Sequence, residues 1–348
     1  MKRSIPALMM AALLLTGCGN AGGSTSGNSG APAAEQSSGK QDKKPSLFGK
    51  SNVSLDEGTG VLTLSGNLTA EEVQAYKSND SVKSVVCKSG TVFPEDSSNL
   101  FREFECESID LTNADTSQVK NMSSMFLYCN YMTSLNLGGI DTSKVEEMDG
   151  MFSGCDELLS LDITGLNTDS VTDIREMFYD CQKLTELDLS NFTCPNVRSY
   201  NMLFCNCYRL KSLDLSAMNL ANASSMEQTF SGCSSLKEIN FGTAEIKKIA
   251  MTTYMFENCH SLETLDLTNF YIENVAFMPH MFDGCENLTT ILVSYPWNPD
   301  HAKGSRDVFR DCEKLVGGNG TAYDPELTDW TYAVVDTPET PGYLTLAE

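Results

Sequence analysis

The sequence predicts an α/β repeat, a solenoid whose coils are each a short strand, a polar loop and a short helix. Three observations carry that reading. The tetrapeptide Phe-x-x-Cys recurs at Phe126/Cys129, Phe152/Cys155, Phe178/Cys181, Phe204/Cys207, Phe230/Cys233, Phe256/Cys259, Phe282/Cys285 and Phe309/Cys312, with cysteines 26 residues apart six times and then 27. A period held that tightly marks stacked units. After each cysteine comes x-x-Leu-x-x-Leu-x-Leu, as in Leu184, Leu187 and Leu189 or Leu210, Leu213 and Leu215. Its final alternation fits a short strand with two inward residues. Ahead of each cysteine, apolar residues fall three or four apart, as in Val145, Met148, Met151, Phe152 and Cys155, the spacing of one helix face.

From the N-terminus, Lys2 and Arg3 precede an apolar stretch at residues 5–15, too short to span a bilayer and suited to a signal-peptide core. It ends in Leu15-Thr16-Gly17-Cys18, which resembles the bacterial lipobox. That resemblance implies cleavage of residues 1–17 and lipid on Cys18, whose acyl chains would hold the protein to a membrane. Residues 19–46 are mostly Gly, Ser, Asn, Ala and Gln, unable to bury enough apolar surface to order themselves. With Cys18 they form an expected tether (18–46) with a reach of roughly 30 Å.

Residues 47–99 are expected to cap the stack. Val53 to Leu55 and Val61 to Leu64 suggest a hairpin around Glu57-Gly58-Thr59-Gly60. Thr69 and Glu72 form a candidate capping box, and Val82, Val85 and Cys87 match a repeat strand. The repeats occupy 100–316. In them Ser143 with Glu146 suggests a helix start, and Gly154, Gly232 and Gly284 sit where a helix should end. About eight stacked units bury a continuous core that one alone could not. A bulky helical side predicts a concave sheet face. Residues 317–348 are the expected second cap, with strand candidates at 332–335 and 343–346 and Trp330 in its core.

The runs Asn113-Ala114-Asp115-Thr116-Ser117-Gln118-Val119, Met122-Ser123-Ser124-Met125-Phe126 and Leu187-Asp188-Leu189-Ser190-Asn191-Phe192 resemble the BspA-like leucine-rich-repeat surface proteins. So do Leu315-Val316-Gly317-Gly318-Asn319-Gly320-Thr321 and Pro341-Gly342-Tyr343. The resemblance covers roughly residues 80–345. It implies a right-handed leucine-rich-repeat solenoid at the bacterial cell surface, of a kind associated with adhesion or host-protein binding. The units near 219–224 and 244–250 depart from the Asp-Thr-Ser-x-Val pattern, as Asn219-Leu220-Ala221 and Glu245-Ile246-Lys247. A shared fold does not carry a ligand with it.

The chain has 348 residues, 41% of them hydrophobic, with 24 Lys plus Arg against 47 Asp plus Glu and a formal net charge of −23. That balance argues against nucleic-acid binding and against electrostatic attachment to anionic lipid. Eight of the thirteen cysteines are one structural position repeated, and they read as buried thiols. Cys194 aligns with core positions, and Cys205 with outward or rim positions, where a redox or bridging role is the alternative. The repeated methionines read as core. No Gly-x-Ser-x-Gly, His-Glu-x-x-His or Gly-rich phosphate loop is present, so no enzyme and no cofactor are expected.

The candidate site is the strand centre. The residue between the two inward positions is Asp110, Asn136, Asp162, Asp188, Asp214, Asn240, Asp266 and then Leu292. Strand alternation points it outward. Like charges side by side across strands repel. The row therefore implies either hydrogen bonds from the Ser and Thr columns beside it or a cationic partner, a basic peptide or weakly held Ca²⁺. One ligand per coil builds no Ca²⁺ cage. Tyr271 and Trp297 share a column near the end of the repeats and, with Tyr295 and Pro296, form either an aromatic binding spot or buried cap aromatics. The partner expected is an extracellular protein or glycan. The alternative function is a structural or solute-capturing surface lipoprotein without a host ligand.

Overall fold

The computed structural model describes residues 51–347 except 296 and 303, within one compact unit, Lys50–Glu348. The signal, lipobox and tether expectations, Cys18 included, lie outside the described residues. The chain winds into a parallel β-solenoid of about nine coils. It opens with an antiparallel hairpin, Val53–Asp56 on Val61–Leu64, in the register Leu55↔Leu62. The helix Ala70–Gln74 follows, and Thr69 and Glu72 close the expected capping box at its start.

Short parallel strands then stack one per coil: Ser84–Cys87 on Ser108–Asp110, Ser134–Asn136 on Ser160–Asp162, Ser212–Asp214 on Glu238–Asn240, and Thr264–Asp266 on Thr290–Val293. Leu344–Leu346 adds beside Thr290–Val293. The registers pair equivalent residues, such as Leu135↔Leu161 and Leu213↔Ile239, so each coil lays its inward leucine on the one before. Residues 332–335, expected as a strand, instead hold the end of a 3-10 turn, Trp330–Tyr332, and a single bridge from Val335 to Leu344. Asp329 caps that turn through the Thr331 amide, which fixes the local chain direction away from a strand.

The short helices expected ahead of each cysteine are not formed. In 148–155 the amides of Met148, Gly150, Phe152 and Gly154 donate to the carbonyls of Asp173, Arg175, Met177 and Tyr179 in the next coil. The alternate amides, of Met151, Ser153 and Cys155, turn back to Met148, Gly150 and Phe152, three residues earlier. An α-helix would spend every amide inside the segment, on the residue four back. The left-handed residues of this face also forbid a helix. They come in pairs four apart, including Ser124/Tyr128, Gly150/Gly154, Glu176/Asp180, Met202/Asn206, Gln228/Gly232, Tyr254/Asn258 and His280/Gly284. The 3–4 spacing of apolar residues is common to a helix and to this turn ladder, which is why the periodicity misleads. The glycines expected as helix ends occupy the left-handed positions of the turns instead.

This change removes the reason for a strongly concave sheet. Packed helices sit 8–10 Å apart, whereas hydrogen-bonded backbones on both faces hold coils about 4.8 Å apart. Inside, nine phenylalanines form one file: Phe101, Phe126, Phe152, Phe178, Phe204, Phe230, Phe256, Phe282 and Phe309. Their ring centroids are 5.4–5.9 Å apart and neighbouring planes lie within 13°. The repeated cysteines run beside this file, free and buried. Each Sγ donates to the carbonyl of the phenylalanine in the preceding coil at 3.1–3.2 Å, from Cys129 to Phe101 through Cys312 to Phe282. The position thus wants a small apolar atom that also satisfies a carbonyl, which a thiol does. The repeated methionines are core, as expected.

Candidate recognition face

The strand-centre residues stand in one outward row. Asp110, Asn136, Asp188, Asp214, Asn240 and Asp266 are exposed, and Asp162 is half-buried. Each closes a turn in its own coil. The side-chain oxygen accepts the amide two residues on: Thr112 to Asp110 at 2.9 Å, Gly138 to Asn136 at 2.8 Å, Thr164 to Asp162 at 3.2 Å, Ser190 to Asp188 at 2.9 Å, Ser216 to Asp214 at 2.9 Å and Thr268 to Asp266 at 2.9 Å. Aspartate and asparagine are suited to that turn because their carbonyl oxygen reaches the i+2 amide. Hydrogen bonds from Thr112, Ser190 and Ser216 hold the Asp110, Asp188 and Asp214 carboxyls below the ordinary carboxylate range. Between coils, Asn240 donates to Asp214 at 3.0 Å, so amides interleaved in the row relieve some repulsion. The turn bonds engage Oδ1 of each aspartate.

Two adjoining depressions lie on this face. One, about 570 Å³, is lined by Ser134, Asn136, Ser160, Asp162, Glu186, Asp188 and neighbours. The other, about 510 Å³, runs from Asp110 across Asn136 to Asp162. The first borders a gap in the sheet. Residues 186–188 form no strand, and none of the strand pairings joins them to 160–162 or 212–214. Leu187 is accordingly only half-buried, unlike Ile109, Leu135, Leu161, Leu213, Ile239 and Leu265 at the same position. Glu186, which strand alternation places in the outward column of Ser134 and Ser160, joins the face here.

The aromatic candidates separate. Trp297 is buried, 3% exposed, and is not a surface anchor; its indole Nε1 has no hydrogen-bond partner among the described residues. Tyr271 is half-buried, stacked on Tyr295 at 4.7 Å and overlain by Lys247 Nζ at 4.8 Å, with its hydroxyl 2.9 Å from Glu245. Burial of Trp297 follows from its place at the end of the repeats, where the last coils need apolar cover.

Cys194 is core, as expected, whereas Cys205 is buried rather than at the rim. Burial pushes the Cys194 and Cys205 thiols up to about 12 and those of Cys129, Cys181, Cys207, Cys233 and Cys259 well above the usual range. None is a thiolate nucleophile at neutral pH. A polar cluster that the sequence did not reveal joins buried His280 to Asp283 (Nδ1 to Oδ2, 2.9 Å), which Arg310 grips with a hydrogen bond of 2.9 Å from Nε and an ion pair from Nη2. Tyr254 stacks on the imidazole at 4.7 Å. Asp283 occupies the column of Ser153, Cys205 and Ser231, and a charge there was the available signal. Among the described residues no group of three His, Cys, Asp or Glu could hold a metal ion, and no helix is long and apolar enough to cross a membrane.

A family profile described as "Mycoplasma protein of unknown function, DUF285" matches residues 95–218 and 224–331, two thirds of the chain. The chain belongs to this family. The family match pauses where the 3-10 turn Leu220–Asn222 replaces the Asp-Thr-Ser loop of earlier coils. No curated protein matches the sequence. Solved structures that are similar include a leucine-rich-repeat protein of Treponema pallidum (17% identity, 73% of this chain and 85% of that one, TM-score 0.29). A leucine-rich-repeat protein of Eubacterium ventriosum (15%, 77% and 82%, 0.29) and a leucine-rich cell surface protein of Faecalibacterium prausnitzii (15%, 78% and 94%, 0.29) are also similar.

Proposed function

We propose that this chain is a non-catalytic recognition lipoprotein of the BspA-like kind at the bacterial cell surface. It is held to the membrane by lipid on Cys18 and binds an extracellular protein or glycan through the sheet face, with adhesion as its leading role. The observation that carries the reading is the outward row from Asp110 to Asp266 beside two adjoining depressions, on a scaffold whose inner positions are all packing. The order of Lys2, Arg3, the apolar stretch and Leu15-Thr16-Gly17-Cys18 supports the anchor. The residues beyond each end of the row serve as caps in this reading.

The test is Asp162→Ser, Asp188→Ser and Asp214→Ser together in the whole chain. Serine can still accept the i+2 amide, so the turns are kept. Binding to extracellular-matrix proteins or host cells should fall about tenfold or more, the loss expected when several charge-assisted contacts of about 1 kcal/mol disappear. Binding that survives to every identified partner ends the reading. A growth defect on one nutrient with adhesion intact would favour solute capture instead. Cys18→Ala should release the protein from the membrane fraction.

A further inference from the structure

Away from the sheet face, the turn ladder builds a second surface that core packing does not explain. Backbone bonds put Tyr128, Gly154 and Asp180 in one column: the Tyr128 amide donates to Ser153 in the next coil at 2.9 Å, and that of Gly154 to Tyr179 at 2.7 Å. Two residues further along come Asp156 and Gln182 in the coils of Gly154 and Asp180, with Tyr208 in the coil after them, and Gln182 Nε2 ties the columns by donating to Asp180 at 3.3 Å. A Cβ on Gly154 would collide with the Tyr128 ring, so the ring lies across that glycine toward the next coil. Tyr128 and Tyr208 are 45% and 40% exposed. Tyr131 and Leu159 are also exposed. Asp156 and Asp180 are half-buried, and the charges of both act on the Tyr208 hydroxyl.

Compensation at these carboxylates is slight: Asp180 accepts from Gln182, and Lys183 attracts Asp156 without pairing with it. Among the described residues Asp156 makes no hydrogen bond or ion pair, and the near cation, Lys183, is paired with Glu157. Burial, then the charges of Asp180 and Glu157, push the Asp156 carboxyl up to about 6. A cation would relieve this repulsion. The exposed tyrosines narrow its kind, since aromatic faces attract organic cations, while hard metal ions require a cage of oxygens. An amphipathic tyrosine pair beside a desolvated charge is also the usual make-up of a protein-binding hot spot.

We propose that the edge that carries Tyr128, Tyr208, Asp156 and Asp180 docks an arginine- or lysine-bearing segment of a protein partner. The probe is an acetylated Arg-Gly-Arg-Gly-Arg amide titrated into the full chain at physiological salt, with the glutamate analogue as control. Replacements come from the same columns of other coils, which keeps the turns foldable: Tyr128→Asn after Asn206, Tyr208→Ser after Ser234, and Asp156→Asn after Asn130. The arginine peptide should bind and its analogue should not. Tyr128→Asn with Tyr208→Ser, and Asp156→Asn alone, should each weaken binding roughly fivefold or more, from lost cation–π and charge contacts. Affinity should also drop below about pH 6 as Asp156 takes up its proton. The sheet-face triple variant should bind the peptide normally, so this edge and the recognition face fail separately. No binding by the wild type, or loss in the sheet-face variant but not in the edge variants, overturns the proposal.

Discussion

The two faces of this solenoid are held by different means. On the turn face the coils from Phe126 to Phe282 repeat one pattern. Alternate amides bond forward, paired left-handed residues reverse the chain, a phenylalanine joins the file and a thiol satisfies the carbonyl behind it. On the sheet face the strands are three or four residues long, fall into separate sheets, and stop altogether at 186–188. The regular face is therefore the scaffold. The broken face can vary its outward residues because less of the stack depends on it.

Breaking the scaffold should have the largest effect. Phe204 is fully buried, with Phe178 and Phe230 stacked on its two sides at 5.6 and 5.9 Å. Phe204→Ala removes contacts to both and leaves a cavity that hydrogen-bonded coils cannot collapse to fill. It should cost about 3–5 kcal/mol, read as the shift in urea midpoint. A loss under about 1 kcal/mol would mean that the file is not what holds the coils together.

A smaller effect should distinguish intact from broken stretches of the sheet face. Leu213 is buried within a strand, whereas Leu187, at the same repeat position, is half-buried in the gap. Leu213→Ala should cost roughly 2–5 kcal/mol. Leu187→Ala should cost about 1 kcal/mol, because less apolar surface is withdrawn from water there. Equal costs, measured by the same urea titration, would mean that the gap packs as tightly as the rest.

The same division explains what could be read in the sequence. The 26-residue period, the inward leucines and the phenylalanine–cysteine positions are packing requirements, and each is written as residue type at fixed spacing. The outward row was legible because strand alternation has only two sides. The helices were misread because spacing reports which residues face the core and not where the amides donate. Tyr128, Gly154, Asp180 and Asn206 share one left-handed position, yet only the glycine announces it. Columns that cross coils, such as Asp156 with Asp180 or Asp283 with Arg310, link residues about 26 apart whose types follow no repeat. The gap at 186–188 leaves no mark, since Glu186-Leu187-Asp188 has the same pattern as the strand at Ser160–Asp162.

The smallest effect lies in how the two faces respond to pH. Hydrogen bonding lowers the Asp110, Asp188 and Asp214 carboxyls on the sheet face. The folded state thus binds those protons less readily than the unfolded chain, and the stability they add is present above the unfolded value near 3.8 and lost as pH falls below it. Asp156 on the turn face is the opposite case, raised to about 6. Its folded form binds the proton more readily, so stability should fall as pH rises from about 4 to about 6 and stay lower above that. Asp156→Asn should consequently raise Tm at pH 8 and make little difference at pH 3.5. Asp188→Ser should lower Tm slightly at pH 8, by an amount that shrinks below pH 4. Both effects are expected to be within a few degrees, as for single partly solvated charges. If Asp156→Asn lowers Tm at pH 8, its carboxylate has a partner and the poorly compensated charge invoked for the tyrosine-lined edge does not exist.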